Sequence, residues 1–404
     1  MTQKSQKNAD FIVIGGGIVG LSIARDLKRR YRDCHVLVLE KEEHIGEHAS
    51  GRNSGVLHAG FYYTKDSLKA KFTREGNRLL TDYCVEHKLP LNRCGKLVVV
   101  RDERDMVGLR ELLQRGQQNG IALELITAKE AKEIEPRVKT WEQALFSPST
   151  ATVSPKHVVD QMLRDACDEG IEVLLGVKYL SNQGQVIHTN RGNYEAGYIV
   201  NAAGLYADLI ARNFSFSQNY TILPFKGLYL YASNPQEKLR THIYPVPDLR
   251  NPFLGVHFTL TVDGVVKIGP TAIPAFWREH YRGLSRFNFS EMLKIMTREF
   301  GLLVKAGFDF RQLAIEEMRK YRRVVLAKRA AELVSAVDPS NYKTWGKPGI
   351  RAQLLNIKAR KLEMDFILEG DKQSMHVLNA VSPAFTCALP FAQYVVDLIQ
   401  AKLN

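Results

Sequence analysis

The first forty residues change hydrophobic period twice. "ADFIVIGGG" (9–17) is a continuous apolar run that stops in glycines, the pattern of a strand buried on both faces. "IVGLSIARDLKRRY" (18–31) follows with apolar residues at helical spacing, and "HVLVLEK" (35–41) returns to an apolar run. Strand, helix and strand in this order predict a βαβ unit and an α/β domain. Farther on, "GKLVVV" predicts a strand and "ERDMVGLRELLQRGQQNG" a helix. "SPKHVVDQMLRDACDEG" predicts a further helix, "IEVLLG" a strand, and "YEAGYIVNAAGLYADLIARN" a strand–turn–helix. Residues 216–285 read as strands and turns, in "GLYLYAS", "FLGVHFTLT" and "VVKIGPTA". Residues 290–337 read as helical, and the chain closes with a helix opening at Leu389–Pro390. The α/β pattern returns late, so the domains interleave. One domain takes 1–85, 147–215 and 345–404. The other takes 86–146 and 216–344 and includes a basic helical region at 290–337.

Gly15, Gly17 and Gly20 form G-x-G-x-x-G after the first strand, and Glu40 ends the next strand, twenty residues after Gly20. Gly15 permits the tight turn, Gly17 the approach of a pyrophosphate to the helix N-terminus, and Gly20 close packing of helix on strand. Glu40 suits the ribose hydroxyls of an adenosine and disfavours a 2′-phosphate, which leaves FAD or NAD. The extreme N-terminal position and a second turn, "VNAAGLYAD" (200–208), with Gly204 opening a helix, favour FAD. A glycine-rich turn without a ligand is the plain alternative.

The 404 residues are 45% hydrophobic and 25% charged, an ordinary soluble balance. No apolar run reaches the ~18 residues expected of a membrane span, and the polar start "MTQKSQKNAD" lacks the apolar core of a signal peptide. Five scattered cysteines form no CxxC pair, so the expectation is reduced thiols, no metal site and a cytoplasmic location. The net charge of +13 concerns partners rather than fold. "RKYRRVVLAKR" (319–329) holds six basic residues and no acid. Upstream, Lys294, Arg298 and Lys305 share one helical face, and Leu293, Met296, Phe300 and Leu303 another. This pattern fits a solvated face, or a peripheral surface on the inner side of the cytoplasmic membrane that meets anionic lipid and a quinone. No nucleic-acid partner is expected, since no recognition motif accompanies the charge.

Together, "DFIVIGGGIVGLSIARDL", "GRNSGVLHAGFYYT", "LKAKF", "NAAGLYAD", "PFKGLY", "YPVPD", "PFLGVHFT", "IGPTA", "GIRAQ" and "NAVSPAFTCALP" resemble the L-2-hydroxyglutarate dehydrogenase/oxidase family of the D-amino-acid-oxidase-like flavoproteins. The resemblance spans nearly the whole chain. It implies a Rossmann-type FAD-binding domain with an interleaved substrate domain built on an antiparallel sheet. It implies oxidation of L-2-hydroxyglutarate to 2-oxoglutarate, with electrons passed to a quinone or to oxygen. The sequence departs from the family at Phe385 and Cys387, where small residues are usual, and at "LLNIKARKLEMDFILEGDK", which lacks a Pro-Asp-Gly turn. An amine oxidase of glycine or sarcosine type is the alternative within flavoenzymes, and a flavin-bearing nucleic-acid-binding protein the alternative outside them.

By the resemblance, Ser54 and Gly55 lie against the isoalloxazine and His58 follows directly. An imidazole there either takes the substrate's hydroxyl proton or only positions the flavin. His257 is the second candidate base. Arg351 is assigned to the α-carboxylate, where a planar fork suits the geometry. Lys226, often arginine in the family, is a second cation, and Tyr62 and Tyr244 are candidate donors. Further cofactor contacts are expected from Lys41, Asn53, Val177, Ala203, Gly204, Ser382, Pro383 and Ala384. The N-terminus of the helix opening at Leu389–Pro390 would stabilise negative charge on reduced flavin.

Overall fold

The strand Lys7–Ile14 and helix Ile18–Arg30 form where the apolar pattern places them, and Val36–Leu39 runs parallel beside the first strand in the register Phe11↔Val36 to Ile14↔Leu39. The computed structural model describes residues 7–233, 238–248, 254–304 and 310–404, without the side chains of 310–314. It divides into two compact units. The first is Met1–Asn53, Pro155–Pro224 and Arg351–Asn404, and the second is Ser54–Ser154 and Phe225–Ile350.

The unit breaks differ from those read in the sequence. Residues 54–85, expected in the first domain, belong to the second. The strand Val56–Leu57 pairs with Ala151–Val153, which also pairs with Leu91–Asn92, and the helix Leu68–Glu86 packs on this small sheet. Pairing between strands far apart in sequence decides membership here. The same pairing moves the next break from 146/147 to 154/155, and the later breaks fall at 224/225 and 350/351.

In the first unit the sheet order is Tyr179–Gln183, Val186–Thr189, Gly192–Asn201, Lys7–Ile14, Val36–Leu39 and Glu172–Leu174. Ser374–Val377 joins Gly192–Asn201 in parallel. Ile12, Ile14, Leu37, Leu39, Val177 and Ile199 make one buried cluster. Helix Ile18–Arg30 packs against Pro155–Asp168 and Ala384–Leu403. Its buried Arg25 ties the first of these helices down through Asp165 and Glu169, both at 2.9 Å.

The closing helix starts at Ala384, not at Leu389–Pro390. Its ladder has already begun, with Cys387 N–H donating to the Pro383 carbonyl at 3.1 Å, before Pro390 removes a donor. Burial of Cys387, Pro390, Phe391 and Val395 offsets that loss. At 20 residues it is long and apolar enough to cross a membrane by length and composition, contrary to the sequence expectation. It instead serves as a core helix of its unit.

The second unit holds an eight-stranded sheet. Its order is Tyr342–Trp345, Leu230–Ala232, Val266–Gly269, His257–Leu260, His242–Pro245, Lys96–Val99, Gln143–Ser147 and Glu124–Thr127. Pairing is antiparallel except between His242–Pro245 and Lys96–Val99. One face is apolar: Leu97, Val99, Ile243, Phe258, Leu260 and Ile268 pack with Leu326, Ala327 and Ala330 of the helix Arg323–Ala330.

The basic region forms helices Phe289–Val304, Phe310–Arg319 and Arg323–Ala330. Leu293, Met296, Phe300 and Leu303 are all exposed, Leu293 to 57% and Phe300 to 68%. Lys320 departs from the expected basic surface, because it is buried and paired with Glu317. Lys305 lies outside the described residues.

Candidate active site

The glycines of the first unit have distinct spatial reasons. A Cβ on Gly15, at φ +110°, would lie 2.5 Å from the Ala202 carbonyl oxygen, and one on Gly20 would lie 1.9 Å from the Gly15 oxygen. On Gly17 it would meet only Ser50 Oγ, at 2.9 Å, so the space before the helix is otherwise open. Ser50, not singled out from the sequence, accepts the Ile18 N–H at 3.0 Å and caps the helix. Glu40 is buried and held by two backbone donors, Gly16 N–H at 2.8 Å and Glu42 N–H at 3.0 Å. Each oxygen takes one of them and retains acceptor capacity for a diol. Gly204, at φ +53°, faces open space and starts the turn Gly204–Tyr206. Lys41 lies 5.2 Å from the Tyr206 ring centroid in that turn and bonds Glu42 at 2.8 Å. These residues fit a dinucleotide: an open helix N-terminus, a fixed carboxylate one strand away and a second open turn.

Other expected cofactor contacts have local roles. Val177 is in the core and its N–H donates to the Glu40 carbonyl at 2.8 Å, so only its own carbonyl can face a ligand. Asn53 closes its turn through Ala49 and Ser50 carbonyls at 3.2 and 2.8 Å. Ala203 N–H donates to Asn201 Oδ1 at 3.2 Å, and Ala384 N–H to the Val381 carbonyl at 2.9 Å. Ser382 is exposed and Pro383 precedes the first helical residue. Arg351 is half-buried in the strand Gly349–Asn356, where the third segment of the first unit begins.

In the second unit, alternation puts chemistry on the sheet face opposite the apolar one. Lys96 registers with His242 and Ser147, Val98 with Tyr244, and Thr259 with Lys267, while His257 and Thr259 flank the apolar Phe258. His257, Tyr244, His242, Lys96, Thr259 and Lys267 are all buried. The stretch 54–63 lies beside them. Lys267 Nζ donates to the Ser54 carbonyl at 3.0 Å, and Lys96 Nζ sits over the Phe61 and Tyr62 rings. Gly55, at φ +78°, gives its carbonyl to Val153 N–H at 2.9 Å, and Ser54 Oγ accepts Val56 N–H at 3.3 Å. His58 is half-buried immediately after the strand Val56–Leu57. Burial chiefly depresses His242, and His58 is close enough to add a small charge effect of the same sign.

His257 has a defined tautomer. Its Nδ1 lies 2.8 Å from the Gly255 carbonyl, so Nδ1 carries the hydrogen and Nε2 keeps a lone pair. Its ring stacks on Tyr244 with centroids 3.7 Å apart, and burial pushes its pKa down to about 3. His242 is committed elsewhere. Its Nδ1 accepts Leu260 N–H at 3.0 Å and its Nε2 meets Thr152 Oγ1 at 2.8 Å, so it holds the sheet together. Burial raises both tyrosine hydroxyls, Tyr62 and Tyr244, above their ordinary range, and lowers Lys267 to about 8. Lys226 belongs to a different sheet, paired with Ile273, and burial lowers it to about 8.

The structure thus brings His257, Tyr244 and Tyr62 together and sets Lys226 on another sheet. Lys96 and Lys267 were missed. Their signal was legible: a lysine inside an otherwise buried strand run, in "GKLVVV" and "VVKIG", is out of place unless it meets a partner.

Residues 10–398 match the family described as FAD dependent oxidoreductase. The chain is 37% identical over 394 residues to the L-2-hydroxyglutarate dehydrogenase of Indibacter alkaliphilus, covering 96% of this chain and 97% of that one. It is 34% identical over 400 residues to the L-2-hydroxyglutarate dehydrogenase of Escherichia coli strain K12, covering 98% and 94%. Among solved structures, dithionite-reduced L-alpha-glycerophosphate oxidase from Mycoplasma pneumoniae with FAD bound superposes with a TM-score of 0.77 at 20% identity, over 98% of this chain and 95% of that chain, a likeness of fold.

Proposed function

Because the chain belongs to the FAD-dependent oxidoreductase family and, within it, matches the L-2-hydroxyglutarate dehydrogenases over nearly its full length, we propose that it oxidises L-2-hydroxyglutarate to 2-oxoglutarate. FAD is the cofactor. The observation that carries this reading is that the kinship extends through both units, so the nucleotide-binding half and the half with the polar sheet face are related to the same enzymes. Gly15, Gly17, Gly20, Glu40, Lys41 and Gly204 are the residues to hold the cofactor. Bound FAD supplies the two-electron acceptor for the Cα–H bond.

The chain's own part is to bind the dicarboxylate, keep water out and remove the hydroxyl proton. His257 offers a neutral Nε2 for that proton, with its Nδ1 hydrogen anchored on Gly255. His58 is the other candidate, half-buried at the end of its strand. Arg351 and Lys226 remain candidates for the carboxylates by charge, and Tyr62 and Tyr244 for the donors. A quinone or oxygen takes the electrons onward. The exposed Leu293, Met296, Phe300 and Leu303 beside Lys294 support peripheral contact with the inner face of a membrane, from the cytoplasmic side.

The test is anaerobic mixing of the FAD-loaded protein with a panel of 2-hydroxy acids and amino acids. L-2-Hydroxyglutarate is expected to bleach the flavin, and glycine and sarcosine to leave it oxidised. Bleaching by an amino acid with none by L-2-hydroxyglutarate would replace this reading with the amine-oxidase one.

A further inference from the structure

Lys96 is fully buried in the second unit, and its Nζ has no hydrogen-bond partner among the described residues. Three rings surround it, with centroids 4.5 Å away at Phe61, 4.6 Å at Tyr62 and 4.9 Å at Tyr244. Aromatic faces attract a cation but accept its hydrogen bonds poorly. The Tyr62 hydroxyl, in the same cage, is also buried without a partner. Burial lowers Lys96 to about 7, as expected of an ammonium deprived of both water and a counter-ion.

Two buried donors without a partner among the described residues, in a ring-lined cage, are costly to the fold unless something else satisfies them. Their position says what that is. The Tyr244 ring touches both groups: Lys96 Nζ lies 4.9 Å from its centroid and the imidazole of His257 stacks on it at 3.7 Å. Sharing that ring puts Nζ no more than 8.6 Å from the imidazole centroid, within reach of a five-carbon acid with one carboxylate at the ammonium and its hydroxyl toward the imidazole. We propose that Lys96, assisted by the Tyr62 hydroxyl, receives one carboxylate of the dicarboxylate substrate. This rests on the 2-hydroxy-dicarboxylate reading and adds to it a cation on the polar sheet face. An anion arriving there meets a donor that is already desolvated, so the charge-assisted bond forms in a low dielectric.

The experiment uses FAD-loaded Lys96→Met and Tyr62→Phe proteins, with glutarate as a probe that has no hydroxyl to oxidise. Glutarate affinity is read by calorimetry and stability by Tm. Lys96→Met is expected to weaken glutarate at least tenfold while Tm stays level or rises, because methionine relieves an unpaired buried cation. Tyr62→Phe is expected to weaken glutarate several-fold. A lysine that only supports the fold gives the opposite pattern, a lower Tm with unchanged glutarate affinity, and that result overturns the proposal. Should Lys96→Met fail to fold, unchanged affinity in Tyr62→Phe overturns it, as does a wild-type protein that binds no glutarate. Because the probe is not turned over, the outcome is separate from whether L-2-hydroxyglutarate bleaches the wild-type flavin.

Discussion

At the scale of single residues, the assignment of the base turns on two histidines that differ in how firmly they are held. His257 is fixed by the Gly255 carbonyl and the Tyr244 ring, and burial keeps it unprotonated until about pH 3. A base must be neutral to act, so the rate falls only as pH drops through that low value. With His257 as base, the flavin-reduction rate is expected to show no ascending limb between roughly pH 5 and 8, the window in which an unperturbed imidazole titrates. His257→Gln is expected to slow reduction ~10²–10⁴-fold without loss of FAD. Stopped-flow reduction of wild type, His257→Gln and His58→Gln across pH checks this. An ascending limb in wild type that disappears in His58→Gln would move the role to His58. The glycines are legible at this scale too. Gly15 and Gly20 admit no Cβ, for reasons of contact that the motif alone anticipates.

At the scale of elements, the helix Phe289–Val304 turns apolar side chains outward and a carboxyl inward. Its apolar positions sit at helical spacing, yet Leu293, Met296 and Phe300 face outward while Glu299 is buried. Burial raises the Glu299 carboxyl to about 8, and its Oε1 has no hydrogen-bond partner among the described residues. The folded protein therefore holds a proton that the unfolded chain releases near the ordinary carboxylate value. Stability from this group is present at low pH and declines as pH rises from the unfolded value to about 8. The slope is at most about 1.4 kcal/mol per pH unit. Glu299→Gln is expected to flatten stability against pH across that window and to raise Tm at pH 8 relative to wild type. Thermal unfolding of both proteins across the pH range measures it. An equal pH dependence would place the raised titration elsewhere.

At the scale of the whole molecule, part of the net charge of +13 lies beside exposed apolar side chains. Lys294, Arg319, Arg322, Arg323 and Lys328 are exposed in the region that also exposes Leu293, Met296 and Phe300. Basic and apolar side chains together suit a surface that meets anionic lipid, each basic residue adding about 1 kcal/mol near such a surface. Sedimentation with vesicles containing anionic phospholipid is expected to carry the protein down at low salt, and much less so with purely zwitterionic vesicles. Replacing Leu293 and Phe300 together by serine is expected to reduce binding even where the charge is intact. Equal recovery from both kinds of vesicle, or none, would remove the membrane contact.

The sequence by itself determined the local matters: the βαβ unit, the glycine turn, Glu40 at the end of the second strand, and the strings that carry the family resemblance. These depend on hydrophobic period and backbone sterics within a few residues, so neighbours in the chain suffice to specify them. Tertiary structure decided what depends on pairing at a distance. It moved residues 54–85 into the second unit through the pairing of Val56–Leu57 with Ala151–Val153. It started the last helix at Ala384, because packing outweighed the proline inside it. It turned Lys96, His257 and Lys267 onto one buried face, since the side a strand presents is set by its register with strands up to 146 residues away.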